Sequence, residues 1–95
     1  MRALIEQDIL LAEDVRLVKR LFRVPRSPSF PDGLKFAFQY LVLKEGIWRE
    51  VCRVDNYEHA GGTGIHVHKH GSVTFRQMTF EEAEDYIIAL GERLR

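Results

Sequence analysis

Ninety-five residues, 45% of them apolar and 29% charged, make one ordinary globular domain spanning 1–95, with no room for a second core. Fourteen basic residues balance fourteen acidic ones, which argues against a nucleic-acid coat protein but leaves open an enzyme that meets nucleic acid through a local patch. The single cysteine, Cys52, excludes an internal disulfide framework, and with no apolar run of about 18 residues and no signal-peptide pattern the expectation is a cytoplasmic protein without a membrane partner.

The N-terminal stretch "ALIEQDILLAEDVRLVKRLFRV" holds enough Leu, Ala, Glu and Lys to pass for a helix. Ile5, Ile9, Val15, Val18 and Val24 add β-branched weight, and "AED" reads as a turn, so a hairpin is the preferred reading. Lys19, Arg20, Arg23 and Arg26 fall within eight residues here. They are read either as a solvated strand edge guarded by charge or as a patch that steers phosphate. "PRSPSFPDG", Pro25 to Gly33, contains all three prolines and reads as an ordered surface loop or crossover.

Phe36, Phe38, Tyr40 and Val42 then alternate with Ala37, Gln39, Leu41 and Leu43, a strand signal of period two. "KEG" is a short turn, and "IWREVCRVD" runs back, with Arg49, Val51, Arg53 and Asp55 expected on one face. Cys52 falls in this strand and is read as a small buried hydrophobe, a reactive thiol being the minor alternative. The three glycines of "AGGTG" open a loop, and "IHVHKH" and "SVTF" read as strand pieces separated by a turn or bulge at Gly71. Thr79 and Glu82 form a capping box, and Phe80, Ala83, Ile87, Leu90 and Leu94 make one apolar helical stripe. The expected fold is α+β: an antiparallel sheet of hairpins with a C-terminal helix packed on one face.

All four histidines lie between His59 and His70. A strand through "IHVHKH" points His66, His68 and His70 to one side. If that strand pairs with the preceding one, their face meets Arg53 and Asp55, with Asn56 starting the turn. Imidazole supplies an acid or base near neutral pH, arginine a fork for phosphate, and aspartate orients an imidazole. The same row also suits zinc or nickel, with His66, His68, His70 and Asp55 as ligands and His59 as a further candidate. Surface histidines with no role are the third reading.

"RVDN", a Gly-rich spacer and "HVH", preceded by "LFRVP" and a strand hairpin, resemble the TumE-type toxin family of prokaryotic toxin–antitoxin systems. That family carries an Arg-Tyr-Asp-Asn stretch, a short Gly-containing loop, a His-x-His pair and a C-terminal helix. The similarity runs from "ILLAEDVRLVKRLFRVP" to the last helix, and the matching positions are Arg53, Asp55, Asn56, His66 and His68. This chain departs from the pattern in Val54, where an aromatic is usual, and in a longer loop with His59 and the extra His70. The resemblance implies a nuclease or another attack on translation, and a cognate antitoxin partner, often a DNA-binding protein. The expectation is therefore a toxin-like ribonuclease without a cofactor. His66 and His68 form its acid–base pair, Arg53 holds phosphate, Asp55 orients a histidine, and Asn56, Lys19, Arg20, Arg23 and Arg26 support the RNA substrate. The rival expectations are a non-catalytic module that holds zinc, nickel or a small ligand on His66, His68 and His70, and a plain structural partner of another protein.

Overall fold

The computed structural model describes residues 2–57 and 64–95. Its strands are β1 (Arg2–Ala12), β2 (Val15–Arg23), β3 (Leu34–Lys44), β4 (Ile47–Asp55), β5 (His66–Lys69) and β6 (Ser72–Phe75), followed by the helix α1 (Phe80–Leu94). Each strand pairs antiparallel with the one before it, so the sheet is a meander in chain order. The fold is α+β, with α1 packed across β3 and β4. The N-terminal segment is the hairpin β1–β2, because its β-branched residues face a neighbouring strand that helix propensity alone does not register. The Pro-rich segment is a loop between neighbouring strands, closed by the Val24 N–H donating to the Gly33 carbonyl at 2.9 Å. No helix among the described residues is long and apolar enough to cross a membrane.

Two tight turns have two successive positive φ values each: Glu45 and Gly46 (52° and 76°), and His70 and Gly71 (49° and 75°). Such primed turns match the twist of the flanking strands and so set the register of β3–β4 and β5–β6. Helix α1 starts where expected. The Thr79 side chain accepts from the Glu82 N–H at 3.1 Å, and the Glu82 carboxylate accepts from the Thr79 N–H at 2.9 Å.

One face of the sheet carries the core. Val15 and Leu17 of β2, Phe36, Phe38, Tyr40 and Val42 of β3, Cys52 and Val54 of β4, and Val67 of β5 meet Ala83, Ile87 and Leu90 of α1. Burying each large apolar side chain contributes roughly 1.5–3 kcal/mol, which makes this layer the main source of stability. Phe80 at the helix start stacks on Phe38 with ring centres 5.0 Å apart, and Lys19 reaches over the layer edge to Glu84 at 2.6 Å. Gly91 sits directly on the Tyr40 ring, where a Cβ would have no room.

The pairing of β3 with β4 slips at one place. Tyr40 faces Cys52, but Leu41 faces Glu50, so Val51 is an extra residue that bulges out of the ladder. A bulge reverses the alternation of everything before it. Arg49 therefore does not share a face with Arg53 and Asp55, as strict alternation had predicted; Glu50 and Trp48 do. Glu50 accepts a hydrogen bond from Gln39 Nε2 at 2.9 Å, and Arg16 lies over the Trp48 ring, both on the face away from the helix.

Candidate active site on the helix-free face

Strand register builds this site. One row across the helix-free face reads Arg20, Ala37, Asp55, His66 and Phe75; the next reads Val18, Gln39, Arg53, His68 and Val73. Arg53, Asp55, His66 and His68 are thus brought together by the β4–β5 pairing. Asp55 and His66 are the buried polar residues among those described, at 1% and 0% exposure.

A carboxylate taken out of water is costly unless it is paired and hydrogen-bonded, and Asp55 is both. Its Oδ2 lies 3.1 Å from Arg53 Nε and 3.0 Å from His68 Nε2. Its Oδ1 accepts the Tyr57 N–H at 3.0 Å, an Asx turn that ends the strand. His66 Nδ1 stands 4.0 Å from the same oxygen. The His66 ring packs against Phe75 with centres 4.6 Å apart, and the two imidazole centres are 6.3 Å apart. Arg53 also lies 4.0 Å from Glu50. One carboxylate therefore holds a guanidinium and an imidazole side by side.

Arg53 and His68 open onto a cavity of about 530 Å³, whereas Asp55 and His66 do not line it. The arrangement thus has a buried row that orients and an outer row that meets solvent. Imidazole beside guanidinium, both steadied by a carboxylate, suits acid–base work next to a bound phosphate or carboxylate group.

The other expected residues fall in different places. His70 is not on β5: it occupies the first turn position beyond Lys69, exposed and at positive φ, so the row of three histidines is a row of two. Among the described residues no three His, Cys, Asp or Glu side chains are placed to hold a metal ion. His59 lies outside the described residues. The Asn56 amide is engaged by β3 on both sides, accepting from the Phe36 N–H at 2.8 Å and donating to the Leu34 carbonyl at 2.9 Å. It positions the end of β4 beside Asp55. The basic cluster is divided by strand alternation. Lys19 faces the helix and pairs with Glu84, and Arg23 shares its side of β2. Arg26 stands in the loop, and only Arg20 lies in the row of Asp55, beyond the small Ala37.

Sequence reasoning missed Phe75, Gln39 and Glu50. Phe75 was legible, since a two-residue turn after Lys69 places it opposite His66. Glu50 was hidden by the bulge. Cys52 is buried on the helix side, where burial pushes its thiol up to about 11, and this leaves it an inert core residue rather than a nucleophile. No protein-family model, no curated protein and no solved structure matches this chain.

Proposed function

We propose that this protein is a small toxin-like ribonuclease that cleaves by acid–base chemistry. The observation that carries this reading is Asp55, a buried carboxylate that holds Arg53 and His68 together at a cavity wall. In the proposed reaction the Arg53 fork takes the phosphate oxygens. The His68 imidazole removes the proton of the neighbouring 2′-hydroxyl, and water protonates the departing 5′-oxygen. The O2′–P bond forms as the P–O5′ bond breaks, and no co-reactant is consumed. His68 acts from the cavity wall, while His66, fully buried and off that wall, packs beside Asp55 without reaching the substrate. Asp55 fixes the orientation of His68, and Asn56 fixes the end of β4. The resemblance to TumE-type toxins supports the same reading and adds an antitoxin partner.

The test is RNA cleavage across pH, with and without chelator, by the parent, His66→Ala, His68→Ala and His70→Ala. A positioned acid or base contributes on the order of 10²–10⁴ in rate, so His68→Ala should fall by that amount, and His66→Ala and His70→Ala, which leave His68 in place, by much less. The parent's rate should rise with pH, since a base acts only when deprotonated. Loss of activity with chelator would transfer the reading to a metal site, and equal cleavage by His68→Ala and the parent would end it. Co-purification with the product of the adjacent gene tests the antitoxin; harmless overexpression in a bacterial host, with no such neighbour, counts against toxicity.

A further inference from the structure

β4 has nine residues, yet β5 pairs only with the four from Cys52 to Asp55. Along Ile47–Val51 the outer edge of β4 has no strand beside it among the described residues. The cavity that Arg53 and His68 line is the notch left there, closed on its far side by the β5–β6 turn. Its wall carries Lys44, Arg49, Lys69 and Arg95 in addition to Arg53 and His68, against one carboxylate, Glu50. That carboxylate is already held by Gln39 and Arg53. Arg95 is paired with Glu92 and Asp14, whereas no ion pair among the described residues engages Lys44, Arg49 or Lys69.

The register gives these charges a direction. Arg49 lies opposite Val42 and Lys69 opposite Cys52, both on the helix side, while Arg53 and His68 stand on the other face. The notch therefore joins a basic wall on one side of the sheet to the Asp55 site on the other. Cations concentrated round a concave edge, with so little acid to neutralise them, fit a flexible polyanion rather than a single small ion.

We infer that the notch seats single-stranded RNA, with phosphates on Lys44, Arg49 and Lys69 leading one phosphodiester over the β4 edge to Arg53 and His68. This deepens the ribonuclease reading and rests on it, so binding is measured apart from cleavage. The probe is a fluorescein-labelled 2′-O-methyl oligoribonucleotide, which lacks the attacking hydroxyl, followed by anisotropy over a salt series. Neutralising four phosphates gives log K against log salt a slope of about −2.8, a loss of about fiftyfold between 50 and 200 mM salt. Lys44→Ala/Arg49→Ala should halve the slope to about −1.4 and shrink that loss to about sevenfold. Both residues are exposed, so the fold should survive, and circular dichroism checks that it does. Arg2→Ala/Arg76→Ala removes the same net charge elsewhere and should leave slope and affinity as in the parent.

Absence of binding, or an unchanged slope in Lys44→Ala/Arg49→Ala, overturns the notch. An equal effect of Arg2→Ala/Arg76→Ala overturns it too, since net charge alone would then be at work. If the probe binds as expected while a 2′-hydroxyl RNA is never cut, the notch stands and the ribonuclease reading falls. If RNA is cut while Lys44→Ala/Arg49→Ala keeps its affinity and slope, the ribonuclease reading stands and the notch falls.

Discussion

Gly91→Ala should destabilise the protein although it improves the helix. Gly91 is buried in α1, and a Cβ placed on it would come within 3.0 Å of Cγ, Cδ1 and Cδ2 of Tyr40. The ring has nowhere to go: Tyr40 is 0% exposed and sits in the middle strand between Leu17 and Cys52, both buried. Either α1 lifts from the sheet or the ring is pushed off its rotamer, and overpacking of this kind costs about 1–3 kcal/mol. Helix propensity works the other way, favouring alanine by about 0.8–1.0 kcal/mol. Because the obstacle is a rigid ring rather than a flexible chain end, the upper part of the overpacking range applies, and the net loss is about 1–2 kcal/mol. In a domain of this size each kcal/mol moves Tm by about 4–8 °C, so the melt should fall by about 5–15 °C. Urea and thermal unfolding followed by circular dichroism read this directly. Repeating Gly91→Ala in a Tyr40→Leu background completes a double-mutant cycle, in which the same substitution should become neutral or stabilising. A Gly91→Ala protein that melts at or above the parent would refute the reasoning, since helix propensity would then outweigh the contact with Tyr40.

Asp55→Asn keeps an oxygen for the Tyr57 N–H but leaves Arg53 and His68 beside a neutral group, so urea unfolding should show a loss of about 1–3 kcal/mol. That is less than for a fully enclosed ion pair, because Arg53 is partly open to solvent; an unchanged midpoint would mean the charge of Asp55 holds nothing. Stability should also fall at alkaline pH, with the sign set by two raised groups. Burial first, then Glu50, pushes Cys52 from 9.0 to about 11; burial first, then Glu92, pushes Tyr40 from 10.0 to about 12. Each folded pKa lies above its unfolded value, so the contribution is complete below about pH 9 and is lost as pH rises through the folded pKa values. Cys52→Ala should remove the part of the decline that begins near pH 9, as read from urea midpoints at stepped pH, and a parent equally stable at pH 8 and pH 11 would contradict it.

Local pattern was enough for the elements. Alternation of Phe36, Phe38, Tyr40 and Val42 set β3, the Thr79–Glu82 box set the start of α1, and Gly46 and Gly71 marked the two primed turns, because each signal acts over a few residues. The pairing of Arg53 and Asp55 with His66 and His68 was legible too, since a short strand after a hairpin has few places to go. What strand alternation could not carry was anything that interrupts it. The bulge at Val51 exchanged Arg49 for Glu50 on the site face, and positive φ at His70 took the third histidine out of the row. The basic cluster of Lys19, Arg20, Arg23 and Arg26, continuous in the chain, was divided between two faces and a loop, while Lys44, Arg49 and Lys69, scattered in the chain, were gathered at one edge. Strand lengths and register decide which side chains share a surface, and these follow from non-local pairing and packing under α1, which no short window of sequence contains.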